Sequence, residues 1–309
     1  MIDLRGLNAI VTGSTRGLGL AVARALAESG ANVVINGRTH KACESAAASI
    51  GLTSGAIGYV VGSVADEPTA QALVDLCEAQ FGPVGLVVNN AGITRDKSLL
   101  NMTVDEFDDV LSVHLRGTWL MCRAAARAMK STGGAIINVT SGSALFGLVG
   151  QSNYAAAKGG INGLTRALSV ELQRYRIRVN ALYPVALTDM TAPVVALSGG
   201  PDSPLRDVFG DPADVSRIVV ALAGSAAKSV TGQIIGFDGH ELALWSHPDR
   251  VVRIAHEAPW SDSHLHQTLQ RLTAEPAPLN PDEVGARTRA ALTASRSAPR
   301  AAEMVHENR

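Results

Sequence analysis

The segment "NAIVTGSTRGLG", residues 8–19, joins a short apolar run to a glycine-rich turn and then to a helix-like stretch. The apolar run predicts a buried strand, and residues 17–29 predict the helix that follows it. Glycines between a strand and a helix let the backbone approach a pyrophosphate, to which the helix N-terminus offers free N–H groups. The spacing of Gly13, Gly17 and Gly19 differs from G-x-G-x-x-G, so the prediction of a nucleotide site depends on the position of the turn.

The same alternation of apolar runs and helix-length stretches extends along the first 240 residues or so. The runs are nearly continuous in apolar character, which is typical of strands buried on both faces of a parallel sheet. The alternation predicts an α/β fold of the doubly wound, Rossmann type with a parallel seven-stranded sheet. The predicted strands lie at 8–12, 32–36, 57–61, 84–90, 134–140, 177–183 and 232–237, and the main predicted helices at 17–29, 68–80, 104–130, 154–174 and 212–223.

The alternation stops after the seventh predicted strand. We therefore predict a Rossmann-type domain over residues 1–239 and a C-terminal extension over residues 240–309. Within the extension we predict a helix around 249–272, a proline-rich break at 275–281 and a mobile tail at 295–309. The apolar residues of 241–272 should cover apolar surface, either at the entrance of the binding cleft or as a brace away from it.

The composition limits the classes of partner. The chain has 309 residues, of which 46% are hydrophobic and 18% charged, proportions that suit a large globular domain. Its net charge of −1 provides no basic field, so no nucleic acid is expected as a partner. No segment approaches the roughly 18 apolar residues of a membrane span, and no signal peptide is expected. The three cysteines are widely spaced, which favours free thiols and a cytoplasmic location.

The histidines of the extension do not form a metal-binding pattern. No cysteine or carboxylate joins them at ligand spacing. His264 and His266 stand two positions apart, and such positions do not share a helix face. No metal is predicted.

A tyrosine and a lysine stand four residues apart in "GQSNYAAAKGG", residues 150–160. The surrounding alanines favour a helix, on which Tyr154 and Lys158 would lie on one face about one turn apart. A neighbouring ammonium group lowers the pKa of a phenol, so the two side chains could act together in acid–base chemistry. The alternative is a solvated helix face that carries the two residues incidentally.

The residues after the second predicted strand indicate which nucleotide binds. A site for NAD(H) carries an acidic side chain there for the ribose 2′-hydroxyl, whereas this chain reads "VVINGRTHK", residues 33–41. Arg38 lies in this stretch and Arg16 in the glycine turn, and guanidinium groups bind phosphate through charge-assisted bonds. These residues predict NADP(H) rather than NAD(H). The alternative is that both are ordinary surface arginines.

Together these motifs resemble those of the short-chain dehydrogenases/reductases. The resemblance implies a nicotinamide-dependent oxidoreductase, in which a hydride passes between the cofactor and a carbonyl or carbinol carbon. It also makes it improbable that Tyr154 and Lys158 are incidental. The matching motifs stand in order at family spacing over residues 1 to about 240: "TGSTRGLG" at 12–19, "NNAG" at 89–92, Ser141 thirteen residues before Tyr154, "YAAAK" at 154–158, "YPVALTDM" at 183–190 and "GFDG" at 236–239.

The resemblance implies a role for each matching residue. Tyr154 would be the general acid in reduction and the general base in oxidation, with a pKa lowered by Lys158. Ser141 would hydrogen-bond the substrate oxygen and stabilise the developing alkoxide, and His114 completes the implied catalytic set. The implied cofactor-binding residues are Gly13, Thr15, Arg16, Gly17, Leu18, Gly19, Arg38, Ser63, Val64, Asn89, Asn90, Ala91, Gly92, Tyr154, Lys158, Pro184 and Thr188.

Three positions depart from the family pattern. His114 replaces an asparagine that anchors a water linking the lysine to solvent, and a histidine can also hydrogen-bond a water. Ser63 replaces the aspartate that contacts adenine, which predicts a weaker adenine contact. Val185 follows Pro184 in place of the usual glycine, so the backbone there lacks the conformational freedom of glycine.

The stretches "AGITRDKSL" at 91–99 and "VHLRGT" at 113–118 resemble (3R)-hydroxyacyl-CoA dehydrogenases and related 3-oxoacyl-thioester reductases. The resemblance implies a 3-oxoacyl or 3-hydroxyacyl thioester, of coenzyme A or of acyl carrier protein, as the substrate. Two alternatives stay open: a hydroxysteroid or xenobiotic carbonyl reductase, and a non-catalytic cofactor-binding regulator. In similar proteins the helices matching 104–130 and 154–174 pair across a two-fold axis, which implies a homodimer or homotetramer.

Overall fold

The computed structural model describes residues 2–51, 55–188, 190–192 and 209–245. Its strands are β1 (Asn8–Val11), β2 (Asn32–Gly37), β3 (Ile57–Val61), β4 (Leu86–Asn89), β5 (Gly134–Val139), β6 (Ile177–Pro184), β7 (Ile234–Phe237) and β8 (Leu242–Trp245). They form one sheet in the order β3-β2-β1-β4-β5-β6-β7-β8. Neighbouring strands are parallel, except that β8 pairs antiparallel with β7 at one edge.

Helices lie on both sides of the sheet. They are α1 (Gly17–Glu28), α2 (His40–Ile50), α3 (Glu67–Phe81), α4 (Val104–Leu111), α5 (Gly117–Ala128), α6 (Ser143–Phe146), α7 (Ser152–Glu171) and α8 (Pro212–Ala223). A π-helical turn, Ser112–Arg116, joins α4 to α5. Short 3-10 turns occupy Gln173–Tyr175 and Ser225–Ala227.

Two apolar cores hold the helices to the sheet. One core includes Leu26 of α1 and Val219 of α8, and the other includes Leu73 of α3. Consecutive strand residues contribute to opposite cores, because Ile10 belongs to the second core and Val11 to the first. Full burial of each large aliphatic side chain contributes about 1.5–3 kcal/mol, so both faces of the sheet favour the layered fold.

The direction of strand order reverses between β1 and β4. The chain passes outward from β1 to β2 and β3, then returns to β4 on the other side of β1. In a doubly wound sheet this reversal opens a crevice at the carboxyl ends of the two strands. The glycine turn follows β1 and "NNAG" begins in the last residue of β4, so both predicted cofactor motifs lie at this crevice.

The structure confirms the predicted doubly wound fold and adds one strand to it. β8 lies beyond the predicted end of the sheet, and its Leu242 and Leu244 side chains are 63% and 67% exposed. β8 follows β7 after a short turn and pairs antiparallel with it, so no helix separates the two strands as the predicted alternation requires. The predicted helix at 104–130 is likewise divided by the π-helical turn.

The predicted division of the chain at residues 239 and 240 stays a prediction. The stretches 249–272, 275–281 and 295–309, for which a helix, a break and a mobile tail were predicted, lie outside the described residues. Within the described ranges, no helix is both long and apolar enough to cross a membrane.

Candidate active site

The glycine turn after β1 brings backbone rather than side chains to the crevice. Gly13 and Gly17 have φ angles of +59° and +54°, in the left-handed region that favours glycine. A Cβ atom on Gly13 would lie 2.6 Å from Cα of Ala91, and one on Gly19 would overlap the Asn90 side chain. The side chain of Arg16, the residue before α1, makes no capping hydrogen bond, so the positive dipole end of α1 can receive an anion. The turn therefore fits a dinucleotide pyrophosphate.

The segment after β4 holds the glycine turn through hydrogen bonds. Thr12 Oγ1 accepts from the N–H groups of Asn90 and Ala91 at 3.0 and 3.1 Å. Asn90 Nδ2 donates to the carbonyls of Thr12 and Gly13 at 3.1 and 3.0 Å, and Asn36 Oδ1 accepts from the Gly13 N–H at 3.3 Å. Thr12 and Asn36 were not among the predicted site residues. Their sequence signal is a polar residue at the carboxyl end of an apolar strand.

Asn89, the last residue of β4, lies in a buried polar network. Its Nδ2 donates to Asn138 Oδ1 at 2.9 Å and lies 3.4 Å from the Cys122 sulfur. Asn138 Nδ2 in turn donates to Thr165 Oγ1 at 3.0 Å. Asn89 Oδ1 is buried without a partner among the described residues. The network ties β4 and β5 to α7, and the role of Asn89 in shaping the cleft stays a prediction.

Ser141, Tyr154 and Lys158 meet beside the carboxyl end of β5. Tyr154 and Lys158 lie about one turn apart on α7, and the Ser141 hydroxyl lies close enough to the Tyr154 phenol to influence its pKa. Lys158 Nζ lies 5.5 Å from the centre of the Tyr154 ring and donates to the Val139 carbonyl at 2.7 Å. The structure therefore brings together the three residues that motif spacing predicted.

Asn153, which is buried, fixes the start of α7 next to Tyr154. Its Oδ1 accepts from the Tyr154 N–H at 2.7 Å. Its Nδ2 donates to the carbonyls of Arg95 and Glu106 at 3.0 and 3.2 Å. Asn153 is thus a positioning residue for Tyr154. It was not among the predicted site residues, because the carbonyls that its Nδ2 bonds belong to residues more than 40 positions away in the chain.

Burial governs the ionisation of Tyr154 and Lys158. Burial raises the pKa of Tyr154 to about 12, although the Ser141 hydrogen bond acts in the opposite direction. Burial lowers the pKa of Lys158 to about 7, so its amine is only partly charged at neutral pH. These directions correct the expectation that Lys158 lowers the pKa of Tyr154. The sequence reveals the spacing of the two groups but not their burial, which is the largest cause of both pKa shifts.

A family comparison matches this geometry. The sequence profile described as short chain dehydrogenase matches residues 7–197, a span that contains the glycine turn, Ser141, Tyr154 and Lys158. The chain belongs to the short-chain dehydrogenase family. It is therefore an oxidoreductase that uses a nicotinamide cofactor.

Individual members of the short-chain dehydrogenase family cover most of the chain. This chain is 37% identical over 282 residues to the hydroxyacyl-CoA dehydrogenase ChsB1 of Mycobacterium tuberculosis, and the match covers 87% of this chain and 89% of that protein. This chain is 38% identical over 240 residues to the 3-oxoacyl-[acyl-carrier-protein] reductase FabG of Chlamydia muridarum, and the match covers 75% of this chain and 95% of that protein. A solved short chain dehydrogenase from Mycobacterium avium matches with a TM-score of 0.78 at 32% identity, covering 90% and 98%. At 87% coverage, the match to ChsB1 extends into the residues after Trp245.

His114, at the position where the resemblance implies an asparagine, lies against Tyr154. Its ring packs edge-on to the Tyr154 ring, with 5.1 Å between centres. Nε2 lies 3.0 Å from the backbone nitrogen and 2.7 Å from the carbonyl oxygen of Ile93, and the tautomer decides which it bonds. Burial first and the charge of Lys158 second lower the pKa of His114 to about 3, so the ring is neutral.

The close fit of His114 limits how it could replace the family asparagine. A Cβ atom on Gly92 would overlap its ring, which explains why "NNAG" ends in glycine here. Nδ1 is buried and has no partner within the described part of the chain. This nitrogen is the one left to hydrogen-bond a water, and the water relay through His114 stays a prediction.

Arg16 and Arg38 extend from two turns that pack against each other. A Cβ atom on Gly37, the last residue of β2, would overlap the methyl group of Thr15. Arg38 directly follows Gly37 and is exposed, and Arg16 directly follows Thr15 and precedes α1. The two predicted arginines therefore lie on neighbouring turns at the carboxyl ends of β1 and β2.

Ser63 and Val64 form the turn after β3. Ser63 Oγ accepts from the N–H of Ala65 at 3.2 Å, so its hydroxyl has a local partner. Val64 is buried, and its side chain leaves no room for a Cβ atom on Gly117 at the start of α5. The weaker adenine contact predicted from Ser63 stays a prediction.

The segment after β6 needs no glycine at Val185. Its N–H donates to the Phe237 carbonyl at 3.0 Å, and its carbonyl accepts from the Gly210 N–H at 3.0 Å. The φ angle of Val185 is not positive, so a β-branched residue fits after Pro184. Thr188 then lies across the cleft entrance from the glycine turn, because a Cβ atom on Gly17 would be 3.8 Å from its side chain.

Trp245 packs in an aromatic cluster near Ser141. Its ring centre lies 5.0 Å from that of Phe146 and 6.3 Å from that of Tyr183. A Cβ atom on Gly142, the residue after Ser141, would be 2.8 Å from the Tyr183 hydroxyl. The beginning of 241–272 thus approaches the site through Tyr183, while the rest of that stretch lies outside the described residues.

The described ranges contain no group of three or more metal-ligating side chains. Of the histidines in the extension only His240 is described, so the expectation of no metal stays a prediction.

Proposed function

We propose that the protein is an NADP(H)-dependent oxidoreductase that interconverts 3-oxoacyl and 3-hydroxyacyl thioesters of coenzyme A or acyl carrier protein. The observation that carries the proposal is the convergence of Ser141, Tyr154 and Lys158 in a chain related to ChsB1 and FabG. The name of ChsB1 describes the dehydrogenation of a hydroxyacyl group on coenzyme A, and the name of FabG describes the reduction of a 3-oxoacyl group on acyl carrier protein.

The catalytic residues have separate tasks at the substrate oxygen. A bound nicotinamide cofactor supplies the hydride for reduction. Tyr154 donates a proton to the carbonyl oxygen, and its pKa of about 12 keeps the phenol protonated at neutral pH, as reduction requires. Ser141 hydrogen-bonds the same oxygen and stabilises the charge that develops on it. Lys158 is held against Val139 beneath the Tyr154 ring, where the resemblance implies that it also contacts the nicotinamide ribose.

The choice of NADP(H) is supported by charge at the end of β2. Arg38 occupies the stretch in which an acidic residue would select NAD(H), and Arg16 lies on the adjoining turn. Both guanidinium groups can form charge-assisted hydrogen bonds with a ribose 2′-phosphate.

Acetoacetyl-CoA tests the proposed function directly. We expect NADPH oxidation with this substrate, at a kcat/KM at least about tenfold above that for a 3-ketosteroid. The measurement is the loss of NADPH absorbance. A preference for the steroid would favour the hydroxysteroid reductase, and NADPH binding without turnover of either compound would favour the regulator.

We also propose a homodimer or homotetramer that assembles through α4, α5 and α7. Trp119 of α5 is 43% exposed and Val170 of α7 is 75% exposed, so these helices present apolar side chains to solvent in the single chain. Three buried, unpaired cysteines suit the reducing cytoplasm, which is the location we propose.

Light scattering at micromolar concentration should give the mass of a dimer or tetramer. Val170→Asp should shift the mass toward the monomer, because a carboxylate would be buried without a partner in the interface. Leu99→Asp is the matched control, since Leu99 is 76% exposed but lies in the connection between β4 and α4. A monomeric wild-type protein contradicts the proposal.

A further inference from the structure

Gln151 links the protein surface to Ser141 through a chain of hydrogen bonds. Its Nε2 donates to Asp96 Oδ2 at 2.7 Å, and its Oε1 accepts from Ser143 Oγ at 2.6 Å. Ser143 contacts Ser141 twice: the Ser143 N–H donates to Ser141 Oγ at 3.3 Å, and Ser143 Oγ accepts from Ser141 Oγ at 3.4 Å. This series of hydrogen bonds therefore connects the exposed Asp96 carboxylate to the Ser141 hydroxyl, which in the proposed function hydrogen-bonds the substrate oxygen.

The residues of this hydrogen-bond series come from three separate segments of the fold. Asp96 is exposed between β4 and α4, Ser143 begins α6 and is 3% exposed, and Gln151 directly precedes α7. The Lys97 N–H also donates to the Gly150 carbonyl at 2.9 Å. Because this backbone bond joins the segment of Asp96 to the segment of Gln151, loss of the Gln151 amide would leave these two segments connected.

The carboxylate sets the direction of the hydrogen bonds. A carboxylate only accepts, so Asp96 holds the Nε2 of Gln151 toward itself and leaves the Oε1 facing Ser143. That oxygen accepts the Ser143 proton and fixes the Ser143 side chain, while the Ser143 N–H occupies one lone pair of Ser141. The single Ser141 proton can go either to Ser143 Oγ at 3.4 Å or toward the Tyr154 phenol, and the long bond to Ser143 is weak enough to be exchanged for one to the substrate oxygen.

We propose that Gln151, oriented by Asp96, is a positioning residue that holds Ser143 and thereby aims the Ser141 hydroxyl at the substrate oxygen. Neither Gln151 nor Asp96 transfers a proton to substrate; both act through Ser141. The proposal uses the carbonyl chemistry at Ser141 that the proposed function also uses, and it depends neither on a thioester substrate nor on NADP(H).

Gln151→Met tests the proposal, because it keeps the side-chain length and removes both hydrogen bonds. We expect kcat to fall about tenfold, with the thermal midpoint and the Kd for NADPH unchanged. In a Ser141→Ala background the same change should lower kcat by less than about twofold, since no hydroxyl is left to position. Gln71→Met is the matched control, because it removes an exposed bond from Gln71 to Asp75 of 2.8 Å on α3.

Variants of Asp96 separate its hydrogen bond from its charge, which also raises the pKa of Tyr154. Asp96→Asn removes the charge but retains an acceptor oxygen for Gln151, whereas Asp96→Leu removes both. We expect Asp96→Asn to keep a kcat at least about threefold above that of Asp96→Leu. Equal rates for the two variants would show that charge is responsible and would overturn the positioning role.

The rates are measured with NADPH and acetoacetyl-CoA and, in parallel, with butane-2,3-dione. Inactivity toward acetoacetyl-CoA alone would count against the proposed substrate. The effect of Gln151→Met on kcat in the wild-type and Ser141→Ala proteins would then be compared with butane-2,3-dione as the substrate. An equal loss of kcat from Gln151→Met in both backgrounds would overturn the proposal. A crystal structure of Gln151→Met supplies a readout without activity: we expect altered or multiple rotamers at Ser143 and Ser141, and unchanged single rotamers would also overturn it.

Discussion

Tyr154→Phe is expected to lower the turnover number by at least about a hundredfold, because it removes the proton donor and little else. The phenylalanine ring retains the edge-on contact with His114, and Lys158 retains its bond to the Val139 carbonyl. The affinity for NADPH should therefore stay within about twofold of the wild-type value. The measurements are kcat with the best substrate of the wild-type enzyme and Kd for NADPH by fluorescence titration.

Tyr175→Phe is the matched control for this substitution. Tyr175 lies in the 3-10 turn after α7, where its ring contacts Lys130 and Arg174 rather than any catalytic residue. We expect this variant to retain the wild-type turnover. Near-normal turnover in Tyr154→Phe would instead remove Tyr154 from the mechanism.

The parallel part of the fold could be predicted because its strands are buried on both faces. Residues such as Val33, Val34 and Ile35 therefore read as continuous apolar runs. β8 was not predicted although "LALW" is a continuous apolar run, because no helix separates it from β7 and the alternation of strands and helices therefore stops before it. No bounds were predicted for α2, whose sequence "HKACESAAASI" has few large apolar residues to mark a helical period.

The proximity of Tyr154 and Lys158 was likewise easier to predict than their environment. Tyr154 and Lys158 lie on one helix, so their separation in sequence sets their separation in space. The direction of their pKa shifts depends on burial, which arises from distant segments and has no local signal. The bond between Gln151 and Asp96 joins residues 55 positions apart, and only the folded chain brings them together.

Arg38→Asp is expected to shift the ratio of kcat/KM for NADPH to that for NADH by about a hundredfold toward NADH. Arg38 directly follows β2, where an acidic side chain would accept a hydrogen bond from the ribose 2′-hydroxyl. The substitution removes a charge-assisted bond to the 2′-phosphate, worth about 1.5–3 kcal/mol, and replaces it with a like charge. The measurement is kcat/KM for each cofactor at a fixed, saturating substrate concentration.

Arg217→Asp separates a local contact from a change in net charge. Arg217 lies on α8, its side chain is 79% exposed, and its Nε is 3.7 Å from Asp214, so the variant makes the same charge reversal away from the crevice. Exposed charges are screened over roughly 10 Å at ordinary ionic strength, and the cofactor ratio should therefore change by less than about twofold. Equal kcat/KM values for the two cofactors in the wild-type enzyme would contradict the assignment of NADP(H). An equal shift in Arg217→Asp and Arg38→Asp would show that net charge, rather than a bond from Arg38 to the phosphate, sets the preference.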